Sequence, residues 1–168
     1  MMNYPDFRSY ERAFQLMAQV AGRAGRKNRQ GLVVLQTKSP DEPIIHQVVT
    51  NDYASLYKSQ MEERSLFRYP PFYRLVYVYL KHRKEDILEQ AATLMAGYLR
   101  NGMGERVLGP DKPPVARIQT LYIKKIVVKI EQTASLAKVR EYLLGVQQAI
   151  KEDERFRSLI VYYDVDPM

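Results

Sequence analysis

Phe72-Tyr73-Arg74-Leu75-Val76-Tyr77-Val78-Tyr79-Leu80-Lys81 is dense in β-branched and aromatic residues and reads as a strand. Successive side chains on a strand point to opposite faces. Val76, Val78 and Leu80 therefore share one face, and Leu75, Tyr77 and Tyr79 the other. Downstream, Glu85 to Arg100 carries a helical pattern, with Ile87, Ala91, Leu94 and Tyr98 in one row and Leu88, Met95 and Leu99 in the next. Asn101-Gly102-Met103-Gly104 ends it. Val107 to Pro110 is a short strand entering a proline-rich loop, Asp111 to Val115. Gln119 to Glu131 reads as a long strand, with Ile126, Val128 and Ile130 on one side and Lys125 and Lys129 on the other. A helix capped by Thr133 or Ser135 runs to about Glu152, with Leu136, Val139, Leu143, Val146 and Ile150 inward. Ser158 to Asp166 is the last strand, with Leu159, Val161, Tyr163 and Val165 opposed to Ile160 and Tyr162. The order β-α-β-β-α-β predicts an α+β fold, the ferredoxin-like split βαβ arrangement, with two helices on one face of a four-stranded antiparallel sheet.

The other face would show Tyr77, Tyr79, Tyr162, Lys125 and Lys129. Aromatics interleaved with lysines suit stacking of single-stranded bases. They suit packing against the linker helix or the rest of a larger protein better still, since large aromatic rings are good core material. Arg117, Lys124 and Lys125 lie near Pro113-Pro114, where cations can contact a DNA backbone.

Composition bounds the rest. The chain has 168 residues, 46% hydrophobic and 27% charged, with a net charge of +7. Such a chain is globular, and its positive balance favours a polyanionic partner. It has no cysteine and two histidines, His46 and His82, which exclude disulfides, thiolate sites and a histidine cluster for metal. No apolar run approaches membrane-spanning length, and no signal-peptide pattern opens the chain, so no membrane association and a cytoplasmic location are expected.

Upstream, Tyr69-Pro70-Pro71 stops helix formation. Asp52 caps a helix to about Ser65 with a Tyr53, Leu56, Tyr57, Met61 stripe, and Pro43 opens a shorter one, Ile44 to Val49. Leu32-Val33-Val34-Leu35-Gln36-Thr37 reads as a strand buried on both faces, as in a parallel sheet. Such a strand needs neighbours on both sides, which the resemblance described below would place in upstream sequence that is not present. It is therefore expected to be disordered, exchanged between chains in a non-native dimer, or an exposed edge. Tyr10, Phe14, Met17 and Ala21 give one face of a helix from Ser9, the expected cap, to Ala21, which Gly22 would end.

That helix leads into Gln19-Val20-Ala21-Gly22-Arg23-Ala24-Gly25-Arg26. Gly22 and Gly25 allow close backbone approach, and Arg23 and Arg26 are permanently charged forks suited to phosphate oxygens. The pattern Gln19-x-x-Gly22-Arg23-x-Gly25-Arg26 resembles motif VI of superfamily 2 helicases, the arginine-finger motif of the second RecA-like lobe. With Gly31 to Thr37, Asp52-Tyr53, Glu63-Arg64, Tyr69-Pro70-Pro71, Leu108-Gly109-Pro110 and Asp164-Val165-Asp166-Pro167, the succession resembles the C-terminal part of the primosomal replication-restart helicase family, PriA.

The resemblance implies a fragment that begins inside a helicase lobe and runs to the natural end. Residues 1–50 would be a partial lobe, 51–71 a helical linker and 72–168 the ferredoxin-like domain. It implies ATP-driven 3′-to-5′ unwinding at stalled forks, with primosome assembly in replication restart. Arg23, Arg26 and Gln19 would be catalytic, and Gly22, Arg23, Gly25 and Arg26 would contact nucleotide. ATP and magnesium would be bound mainly by an absent lobe, because neither a Gly-x-x-x-x-Gly-Lys-Ser/Thr loop nor an acidic pair after an apolar strand is present. This chain alone should then not hydrolyse ATP. A cysteine-rich zinc region would lie in the full-length protein and no metal here. Implied partners are branched and single-stranded DNA, single-strand-binding protein and primosome components. A non-enzymatic nucleic-acid-binding or scaffold module with a basic N-terminal segment is the competing reading.

Overall fold

The computed structural model describes residues 6–24 and 31–167. They divide into two compact units, Met1–Phe67 and Arg68–Met168.

The first unit is helical: α1 (Ser9–Arg23), α2 (Pro43–Val49) and α3 (Tyr53–Leu66). Ala13, Phe14, Ile44 and Leu56 form its small core. Glu11 of α1 and Arg64 of α3 tie the helices with a 2.7 Å ion pair. Asp52 caps α3 by accepting from the Ser55 amide at 3.0 Å. Tyr53 and Tyr57, assigned to the apolar stripe, are both more than half exposed, and Leu56 alone of α3 is buried. Two helix ends differ from expectation. Ser9 is the first helical residue, with Arg8 as cap, and the Ser9 hydroxyl instead donates to the Asp6 carbonyl. Gly22 lies inside the last turn, which closes at Arg23. A lone glycine costs a helix only about 1 kcal/mol, so its presence does not force an end. Leu32 to Thr37 forms no strand among the described residues, and Leu32 and Val34 stand 89% and 80% exposed. An all-apolar strand needs neighbours on both sides to satisfy its backbone.

The second unit is an antiparallel five-stranded sheet with two helices, an α+β domain. Its elements are β1 (Tyr73–His82), α4 (Glu85–Met103), β2 (Val107–Asp111), β3 (Arg117–Ile118), β4 (Leu121–Glu131), α5 (Leu136–Glu152) and β5 (Ile160–Val165). The strand order is β2-β4-β1-β5, with β3 paired to β4 as a short hairpin. β1 is central: Val78 faces Ile126 of β4 and Tyr163 of β5. Val76, Val78, Leu80, Ile126, Val128 and Ile130 meet Leu88, Ala92, Met95 and Leu99 of α4 and Leu143, Val146 and Ile150 of α5 in one core.

Several details depart from the sequence pattern. α4 continues to Met103 and stops where Gly104 takes φ +59°, a conformation open to glycine. Its buried stripe is Leu88, Ala91, Ala92, Met95, Ala96, Leu99 and Met103, so Leu94 and Tyr98 look outward. Leu136 at the start of α5 is also exposed. Gln119 is not strand: it and Thr120 form the β3–β4 turn, with Gln119 at φ +54°. In β2 the register slips between Leu108 and Asp111, and a Cβ on Gly109 would sit 2.9 Å from the Lys125 carbonyl oxygen. Glycine is what lets this bulge approach β4. No helix among the described residues is long and apolar enough to cross a membrane.

Candidate nucleic-acid interface

The face of the sheet opposite α4 and α5 gathers side chains from β1, β4 and β5. Cross-strand partners share a face. Tyr79 stands between Tyr162 and Lys125, Tyr77 between Asp164 and Val127, and Lys81 between Ile160 and Ile123. The Tyr79 and Tyr162 rings stack with centroids 4.8 Å apart and planes 13° from parallel. Tyr77 meets Tyr79 edge-on at 6.2 Å and 80°. Lysines lie over these rings. Lys81 Nζ is 4.6 Å from the Tyr162 ring centre, and Lys125 Nζ is 4.5 Å from that of Tyr77. Such cation–π contacts hold the ammonium groups among the rings rather than at large in solvent.

The face is not uniform. Leu75, Ile123 and Lys129 are buried on it, whereas Ile160, Tyr162 and Asp164 are exposed. Lys129 Nζ lies 3.8 Å from the Tyr69 ring centre. Burial holds its ammonium below the usual lysine value, and the Arg68 charge adds to that shift. The open part of the surface is therefore the half nearest β5. Alternation separates its two consecutive tyrosines sharply. Tyr163 turns into the core, donates its hydroxyl to the Leu143 carbonyl at 3.1 Å and is pushed up to about 12 by burial. Tyr162 turns out and is 39% exposed.

Of the seven residues singled out for DNA contact, Tyr77, Tyr79, Tyr162, Lys125 and Lys129 lie on this face. Arg117 and Lys124 lie on the opposite side. Arg117 pairs across the hairpin with Tyr122, whose ring packs on the core, and stacks its guanidinium 4.8 Å from that ring centre. Lys124 is nearly buried and reaches Glu89 of α4 at 2.6 Å. Lys81 and Asp164 were not singled out, although each sits two residues from a chosen tyrosine and the same alternation finds them.

The nucleotide-contact set is only partly described. Gln19 and Arg23 are both exposed and four residues apart on α1, so they share one flank of its last turn. Gly22 lies in the same turn. Gly25 and Arg26 fall outside the described residues. Among the described residues, no group of three His, Asp or Glu stands ready to hold a metal ion.

A family model for the primosomal protein N C-terminal domain matches residues 65–168, which takes in the whole second unit. The chain belongs to that family. Its relatives include a replication restart protein PriA of Bacillus subtilis, 34% identical over 99% of this chain and 20% of that protein. Others with the same name come from Haemophilus influenzae (34%, over 96% of this chain and 22% of the relative) and Thermotoga maritima (32%, over 89% and 20%). The chain spans about a fifth of the length of these curated relatives. The first two matches, over 99% and 96% of this chain, extend upstream of the second unit.

Proposed function

We propose that this chain is the C-terminal part of a longer ATP-dependent 3′-to-5′ DNA helicase of replication restart, and that its second unit holds single-stranded DNA on the β1–β5 half of the open sheet face. The observation that carries the binding role is the stacked Tyr79–Tyr162 pair, with Lys81 over the Tyr162 ring and Lys125 over the adjacent Tyr77. Bases stack on aromatic faces without regard to sequence, and lysines beside them meet the phosphates. Strand order β2-β4-β1-β5 with both helices on one face supports the ferredoxin-like reading of this unit. Burial of Leu75 and Lys129 favours packing at the far end of the same face, so contact with DNA is assigned to the β5 side.

Residues 1–50 are read as part of a RecA-like lobe. Arg23 and Arg26 would stabilise charge developing on the γ-phosphate of ATP, a contribution worth ~10³–10⁵ in rate in other nucleotide hydrolases. Gln19 would couple nucleotide to lobe closure, and Gly22 and Gly25 would let the backbone approach. ATP and magnesium would be bound mainly by the remainder of the longer protein, and zinc wholly by it. Branched forks, single-strand-binding protein and primosome components are the partners this reading entails, in the cytoplasm.

Equilibrium binding of a fluorescent thymine oligonucleotide tests the platform. Tyr77→Ala with Tyr162→Ala should weaken binding by about 1–3 kcal/mol per stacked base, and unchanged affinity would favour a scaffold. In the longer protein, Arg26→Ala should abolish ATP turnover and spare DNA binding. Undiminished turnover would remove the finger assignment.

A further inference from the structure

The charges on the open face are segregated. The lysines rise from β1 and β4, at Lys81 and Lys125, and the acid rises from β5, at Asp164. Asp164 is the cross-strand partner of Tyr77 and lies two residues from Tyr162, so it borders the exposed aromatic cluster. It is exposed, and no ion pair or side-chain hydrogen bond engages its carboxylate among the described residues. That cross-strand row, Asp164–Tyr77–Val127, holds no lysine, and Lys125 of the next row lies over the Tyr77 ring, at 4.5 Å.

A carboxylate is out of place on a surface that merely tracks phosphates, because like charges repel. It makes sense if phosphates run over the lysines of β1 and β4 while bases turn toward β5. We propose that Asp164 reads the base stacked at Tyr162 and selects guanine, an inference that rests on the single-strand reading above. An ionised carboxylate only accepts hydrogen bonds, through two parallel oxygens. A single-stranded base leaves its Watson–Crick edge free. Guanine alone offers two adjacent N–H donors there, at N1 and N2, matching both oxygens at once. Cytosine and adenine offer one amino group beside an acceptor nitrogen. Thymine offers one N–H flanked by two carbonyl oxygens, which the carboxylate repels. The platform therefore combines sequence-tolerant stacking with one selective contact on its outer strand.

The test compares three strands of equal length by fluorescence anisotropy: thymine only, alternating thymine and guanine, and alternating thymine and hypoxanthine, which lacks the exocyclic amino group. The unmodified protein should prefer the guanine strand over the thymine strand by about fivefold or more, as expected for one good bidentate contact, and hypoxanthine should lose most of that preference. Asp164→Ala should abolish the preference without weakening binding of the thymine strand. Equal affinity for guanine and thymine strands, or a preference that survives in Asp164→Ala, overturns the assignment while leaving the platform intact. No binding of any strand by the unmodified protein overturns the platform and this inference together.

Discussion

Replacing Tyr162 with alanine removes the outer ring of the stacked pair on the exposed half of the sheet. The ring lies 4.8 Å from Tyr79, nearly parallel to it, and is 39% exposed. Its share of fold stability is therefore small. Aromatic pairs contribute about 0.5–1.5 kcal/mol beyond area burial, and a partly solvated ring belongs at the low end. Its share of binding should be larger. Loss of one stacked base costs about 1–3 kcal/mol, or roughly a 5- to 150-fold rise in Kd. The two effects separate by measurement. Urea denaturation reports the first, and anisotropy with a labelled thymine oligonucleotide reports the second. Tyr163→Phe serves as the comparison on the adjacent residue: it deletes the hydrogen bond to the Leu143 carbonyl and should cost stability while sparing affinity. A Tyr162→Ala protein with unchanged affinity would refute the reasoning, because the most exposed ring of the cluster would then have no ligand.

Three further outcomes follow from the same geometry. Lys81→Ala with Lys125→Ala should lower the salt dependence of DNA binding by about one unit of slope per cation, measured from Kd against salt concentration; an unchanged slope would place the phosphates elsewhere. Leu99→Ala empties a fully buried site between sheet and α4, and should destabilise the second unit by about 2–5 kcal/mol in denaturant titrations; a loss below about 1 kcal/mol would contradict the packing described. Glu131 is held below its ordinary value of 4.5, chiefly by the hydrogen bond from Arg106, so its ion pair stabilises the fold above that pH and stops doing so as pH falls through the lowered value. Glu131→Gln should therefore lose stability near neutral pH and converge with the unmodified protein in acid; parallel stability curves would exclude the linkage.

The sheet face was legible because strands alternate with period two, and Phe72 to Lys81 carries that period without interruption. Once one core position is right, every neighbour follows, Lys81 and Asp164 included. Helix faces were less legible. Leu94 and Tyr98 match a helical row as well as Ala92 and Met95 do, and only the small size of Ala91, Ala92 and Ala96 lets α4 lie close to the sheet along the other stripe. Lys124 reads as a surface cation beside Lys125, yet its partner Glu89 stands 35 residues away, a pairing that local pattern does not contain. The β3–β4 hairpin was missed for want of an Asn-Gly or Asp-Gly turn, since Gln119 takes the positive φ instead. Leu32 to Thr37 carries a strand's composition and pairs with no other strand among the described residues.

The claim that β5 and the middle of β1 form the nucleic-acid surface is tested most directly by backbone amide chemical shifts, followed while a thymine oligonucleotide is added. Shifts should concentrate at residues 77–81 and 160–164 and leave the outward positions of α4 and α5, Leu94, Tyr98 and Leu144 among them, unmoved. Shifts confined to those helices, or none anywhere at saturating strand, would contradict it.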